Sequence, residues 1–120
     1  MKSFRQLDVW KTSKELANLI YTITKSFPKT ELFGLTSQMR RASVSIPSNI
    51  AEGIGRGGYN ERIRFLCVAR GSLFELITQL EIALDQQFVC VDDFDKIYEL
   101  TDQCGMLING SIRYCKNRVQ

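Results

Sequence analysis

Histidine is absent from this 120-residue chain. With it go the commonest general base and the usual serine and cysteine triads, and also the Cys/His zinc patterns. Carboxylates or lysine remain available for catalysis, but the balance favours a protein that binds rather than catalyses. Proline occurs twice and glycine eight times, too few for a turn-rich β-sandwich. The four cysteines stand at 67, 90, 104 and 115, with no two separated by only two residues, so neither a metal site nor a redox pair is indicated. Cys67 and Cys90 lie in the apolar strings FLCV and FVCV, where a reduced cysteine is expected to act as a small hydrophobe. No cofactor and no metal are expected. No run approaches the roughly 18 uncharged apolar residues of a membrane span. The first residues, MKSFRQLDVWKTSKEL, scatter charge where a signal peptide has an apolar run. A cytoplasmic protein is expected.

What is present reads as helix. Composition is ordinary for a globular protein, 44% apolar and 24% charged, and the length suits one domain over residues 1–120. From about Gln6 to Phe27, Leu7, Trp10, Ser13, Leu16, Ala17, Ile20, Tyr21, Thr24 and Phe27 recur in steps of three and four, one helical face. Pro28 stops that helix. A second is expected from Thr30–Glu31 toward Gly53, with Leu35, Met39, Ala42, Ile46, Ile50 and Ile54 inward. Its other inward candidates, Ser43, Ser45, Ser48 and Ala51, are small enough to let a neighbour come close. Pro47 falls inside it and either bends it or breaks it in two. The glycine-rich link Gly53–Gly58 leads to a third helix, Asn60 to Gln87, the clearest amphipathic run. The fourth is expected to be capped by Asp92 or Asp93 and weakened by Gly105 and Asn109-Gly110. Four helices on short links predict an all-α fold, an antiparallel up-and-down four-helix bundle.

The net charge of +3 conceals segregation. Residues 36–71 carry Arg40, Arg41, Arg56, Arg62, Arg64 and Arg70 against Glu52 and Glu61. Residues 72–112 hold Glu75, Glu81, Asp85, Asp92, Asp93, Asp95, Glu99 and Asp102 against Lys96 alone, and the tail is basic again. Balanced solvated faces, a phosphate-binding surface and basic-to-acidic contact between copies all fit this pattern. Arginine outnumbers lysine in the basic block, which suits bidentate phosphate contacts.

Other motifs lack their context. Gly53-x-Gly55-x-x-Gly58 matches a dinucleotide fingerprint but follows a helix, with no strand before it. Ser26-x-x-Lys29 straddles a helix end and a proline. Asn109-Gly110-Ser111 is a glycosylation sequon of no consequence in a cytoplasmic protein. Glu52 and Glu75 lie near inward stripes, so as buried carboxylates they are expected to pair with Arg40, Arg41, Arg56 or Arg70.

The stretch FGLTSQMRRASVSIPSNIAEGIGR, residues 33–56, closely resembles the signature of the four-helix bundle family known as 23S rRNA intervening-sequence proteins. The resemblance continues through FLCVARGSLFELITQLEIA, LDVWKTSKELANLIY and FPKTELFGLTSQ. Members are encoded in insertions within bacterial 23S rRNA genes and elsewhere. A relative, the accessory variability determinant of diversity-generating retroelements, forms a pentameric ring with a basic surface implicated in binding nucleic acid and a reverse transcriptase. The resemblance implies a homo-oligomer, a pentamer, with RNA or DNA or a protein as partner. It also marks Arg40, Arg41, Pro47, Asn49, Glu52, Gly53 and Arg56 as signature positions. Arg40, Arg41, Arg56, Arg62 and Arg64 are the candidate nucleic-acid contacts. The alternative is an interaction scaffold whose charge segregation serves self-assembly.

Overall fold

The computed structural model describes residues 3–119, in which four helices and two short 3₁₀ turns occur and no strand. Helix α1 is Asp8–Thr24, α2 Leu35–Gly55, α3 Tyr59–Asp85 and α4 Val91–Lys116. Each packs on its chain neighbours, and α1 closes the ring against α4. The result is an elongated up-and-down bundle, 49 × 23 × 20 Å. Its core runs the full length: Leu16 and Ile20 from α1, Met39, Ile46 and Ile50 from α2, Leu73, Leu76 and Leu80 from α3, and Ile97 and Ile108 from α4 are all but sealed from solvent.

Helix ends depart from the sequence reading for local reasons. The first helix stops at Thr24 rather than Phe27, yet Phe27 stays buried because the turn carries it onto Phe88, ring centroids 5.6 Å apart. The second begins at Leu35, not Thr30–Glu31. A 3₁₀ turn occupies Lys29–Glu31, and the Glu31 carboxylate accepts the Leu35 N–H at 3.0 Å, supplying one of the acceptors a helix start lacks. Pro47 does not break α2. It deletes one hydrogen bond, but Ile46 and Ile50 on either side are buried and tertiary packing keeps the chain helical. Gly105, Asn109 and Gly110 likewise fail to end α4, which runs on to Lys116 with Ile108, Ile112 and Cys115 buried. Its N-cap is Cys90; Asp92 and Asp93 sit in the first turn, where their charge suits the helix dipole.

The tightest seam lies between α2 and α3. A Cβ on Gly53 would come within 2.9 Å of the Phe65 Cβ, so this position needs glycine for close approach. Asn49 donates from Nδ2 to the Ser45 carbonyl at 2.8 Å and to Ser45 Oγ at 2.9 Å, and Ser45 Oγ meets Ser72 Oγ of α3 at 2.9 Å. Asn49 and Gly53 thus serve one purpose, the joining of α2 to α3. In the turn beyond, Gly57 adopts φ 97°, a left-handed conformation that glycine takes without strain.

Two of the cysteines depart from their expected placement, and the two on the inward stripe of α4 keep theirs. Cys67 and Cys90 are exposed, whereas Cys104 and Cys115 are buried. Apolar sequence neighbours on a helix point in several directions, so they do not report which way the thiol faces. Burial pushes the Cys104 thiol up to about 12.

Candidate nucleic-acid interface

Antiparallel folding brings three remote segments to one end of the bundle: the start of α1, the α2–α3 turn and the last turns of α4. Tyr59, first residue of α3, lies edge-on to Tyr114 of α4, centroids 6.3 Å apart. Arg62 sits 5.1 Å over the Tyr59 ring and donates from Nε to the Gly57 carbonyl at 3.3 Å. Arg118 lies 3.5 Å over Tyr114. Arg56 and Arg64 flank Phe65 at 5.3 and 4.7 Å, and Arg5 covers Phe4 at 4.9 Å. A ring face holds a guanidinium in place without neutralising it.

Carboxylates at this end are few. Glu52 pairs with Arg56 at 3.0 Å and Glu61 with Arg64 at 3.2 Å, both on exposed helix faces, where such pairs contribute little. These are the only ion pairs among the described residues, so Arg62, Arg113 and Arg118 have no carboxylate partner there. Their field reaches inward: burial raises the Cys115 thiol, and Arg62 and Arg118 partly offset that rise.

Beside Tyr114 opens an apolar cavity of about 370 Å³, walled by Leu7, Val9, Ile50, Ile54, Leu66 and Leu107 among others, with Asp8, Arg62, Ser111 and Tyr114 as its polar members. That volume lies within the usual range for small-ligand sites, and Tyr114 itself is half exposed.

Of the five arginines singled out in the sequence, the structure gathers Arg56, Arg62 and Arg64 and separates the other two. Arg40 lies on α2, 16 positions before Arg56, which caps that helix, about 24 Å along the axis at the helical rise. It is half-buried, donating from Nε to Thr24 Oγ1 at 3.0 Å and lying 4.8 Å over the Tyr21 ring. That side chain braces α1 against α2. Arg41 is exposed beside Glu75 in the groove between α2 and α3. Sequence reading missed Arg5, Arg113, Lys116 and Arg118. The basic tail was visible, but only the up-and-down topology sets it beside the α2–α3 turn.

The expectation that Glu52 and Glu75 are buried does not hold. Both are exposed; Glu75 receives a 3.4 Å hydrogen bond from Gln79, and Arg70 donates instead to Asn109 Oδ1 at 3.0 Å. Among the described residues no cluster of carboxylates and thiols assembles into a metal site, and no helix is long and apolar enough to cross a membrane.

The fold has a close counterpart in the crystal structure of a protein of unknown function, from the S23 ribosomal protein family, of Bacteroides thetaiotaomicron VPI-5482. The TM-score is 0.77 at 21% identity, over 87% of this chain and 97% of that one. No curated protein matches. Residues 5–110 match the 23S rRNA-intervening sequence protein family, and the chain belongs to that family.

Proposed function

We propose that this protein is a non-catalytic, self-assembling nucleic-acid-binding bundle of the cytoplasm, with its contact surface at the end formed by Tyr59, Arg62, Tyr114 and Arg118. The observation that carries the reading is the interleaving of arginines with aromatic rings drawn from two remote segments, the start of α3 and the end of α4. Guanidinium groups left without carboxylates attract phosphates, and a half-exposed tyrosine gives an unpaired base a face on which to stack. The cavity beside Tyr114 is large enough for one splayed base. These features favour single-stranded or looped RNA over duplex, since sequence-tolerant stacking requires bases that have left the helix. The family resemblance points the same way, and to five copies in the working assembly.

Fluorescence anisotropy with a labelled single-stranded RNA over a salt series tests this. Affinity of the wild-type chain should fall steeply with salt, and Arg62→Glu with Arg118→Glu should abolish most of the binding. Removing each arginine singly should flatten the salt slope by about one unit for every phosphate it no longer neutralises. Arg40→Ala, at the brace between α1 and α2, should leave the slope unaltered. Salt-independent binding, or a double variant that binds like wild type, would overturn the proposal.

A second reading, a protein interaction scaffold, is favoured by one observation: α3 carries apolar residues on its solvent side as well as its core side.

A further inference from the structure

The end of the bundle away from Tyr114 holds a second basic recess. Between the end of α1 and the start of α2 lies a groove of about 410 Å³ whose charged members are Lys25, Lys29 and Arg40, with no carboxylate among the residues lining it. Chain order explains the cluster. Lys25 follows α1 directly and Lys29 opens the 3₁₀ turn just past Pro28, so the reversal of the chain sets two lysines beside α2. Thr36 and Arg40, four apart on α2, share one face of that helix. The nearest acid along the chain, Glu31, accepts the Leu35 N–H at 3.0 Å and does not line the groove.

Arg40 is held in a fixed pose. Thr24 Oγ1 donates to the Ile20 carbonyl at 2.7 Å and accepts from Arg40 Nε at 3.0 Å, while the guanidinium lies 4.8 Å over the Tyr21 ring. These contacts set the plane of the guanidinium without using its terminal nitrogens, and Arg40 has no carboxylate partner among the described residues. What remains is a preset fork of donors, which matches two oxygens of a phosphate.

Thr36 supplies the second observation. It lines the same groove and is 3% exposed, yet its hydroxyl has no hydrogen-bond partner among the described residues, and its oxygen is not shut off from solvent. A hydroxyl so enclosed is unfavourable without a partner. An acceptor oxygen lodged against Arg40 completes it.

We propose that this groove binds a phosphate monoester. Arg40 takes two oxygens, the Thr36 hydroxyl donates to the third, and Lys25 and Lys29 supply charge at the rim. A dianionic phosphate offers those three acceptors. An internal RNA phosphate has a sugar on either side, whereas a terminal phosphate enters a recess, so the groove takes an end group rather than a strand. Phe27, Pro28 and Leu32 complete the lining and suit an apolar or ring-bearing body on the ester. The site is remote from Tyr59 and Tyr114 and does not depend on the RNA reading.

Isothermal titration calorimetry with inorganic phosphate and with phenyl phosphate, at fixed ionic strength in chloride, tests this. Phenyl phosphate should bind saturably, one per chain, and more tightly than inorganic phosphate. Thr36→Val keeps the shape and removes the hydroxyl, and should weaken binding about tenfold. Arg40→Lys keeps the charge and loses the fork, with a loss of about tenfold. Lys29→Gln, on the exposed turn, should weaken binding by about threefold, and far-UV circular dichroism shows that each variant stays helical. The chain with Arg62→Glu and Arg118→Glu should bind phenyl phosphate as wild type does. A 5′-phosphorylated RNA that displaces phenyl phosphate, where its 5′-hydroxyl twin does not, assigns the groove to an RNA end; failure of both assigns it to a free ester. No saturable binding above the chloride background, a Thr36→Val chain with wild-type affinity, or loss of binding in the Arg62 and Arg118 variant overturns the proposal while leaving the RNA reading standing.

Discussion

At one end of the bundle Phe27 and Phe88 close over the core, with Lys25, Lys29 and Arg40 beside Phe27 and Asp85, Asp92, Asp93 and Asp95 flanking Phe88 in sequence; at the other, Tyr59 and Tyr114 stand among Arg62, Arg113 and Arg118. Both ends use an aromatic pair, yet the pairs work differently. Phe27 is buried and has no polar atom, so its contribution is apolar area removed from water. Tyr114 is half exposed beneath a guanidinium and adds little to the core, so it remains available to a ligand. Aromatic residues close together in a fold therefore do not report function by themselves. Exposure and the charge around them do.

The largest effect that tests this contrast comes from paired truncations. Phe27→Ala should destabilise the chain by about 3–5 kcal/mol in urea denaturation. Tyr114→Ala should cost less than about 1 kcal/mol of stability, while weakening RNA binding by about 1–3 kcal/mol, the worth of one stacked base. Equal loss of stability in the two variants would erase the distinction between the ends.

A smaller effect is expected where α2 meets α3. Gly53→Ala places a Cβ against that of Phe65 and should cost about 1–3 kcal/mol. Gly55→Ala, two residues nearer the basic end, meets nothing within 4 Å and should raise stability by about 0.5 kcal/mol. Thermal melting of both variants separates a glycine required by packing from one that is merely permitted.

The thiols give a pH-dependent test. Folding raises the Cys104 thiol from its ordinary 9.0 to about 12, so the folded chain holds that proton more tightly than the unfolded chain. Its contribution to stability is complete below pH 9 and is lost as pH rises from 9 toward 12. Melting temperature should fall across that window, and less so in Cys104→Ala. In native protein, alkylation should modify Cys67 and Cys90 readily, with Cys104 and Cys115 protected until unfolding.

The smallest effect belongs to the acidic end. Asp92→Asn with Asp93→Asn removes negative charge from the first turn of α4 and should cost about 0.3–1 kcal/mol at low salt, fading as salt rises. The same chain should bind RNA as wild type does, because the altered residues lie at the end remote from Tyr114.

The existence and number of helices were legible in the sequence because apolar residues at three- and four-residue steps admit only one regular structure with a single buried face. Pro28 and the glycines at 57 and 58 marked turns for similarly local reasons. Charge blocks were legible as blocks, and the signature positions Asn49 and Gly53 were flagged before their shared purpose could be seen.

What the sequence alone determined is thus the set of helices, their inward faces and the linear bias of charge, all properties of neighbours along one chain. Tertiary structure alone decided which arginines meet: it joined Arg62 to Arg118, and it turned Arg40 into a brace on Thr24 and Tyr21. It also left Cys67 and Cys90 exposed, and carried α2 through Pro47. The physical reason is common to all of these. Side-chain direction around a helix, and which helix ends lie together, depend on packing between segments remote in sequence, and the energy of that packing outweighs the local preferences that sequence displays.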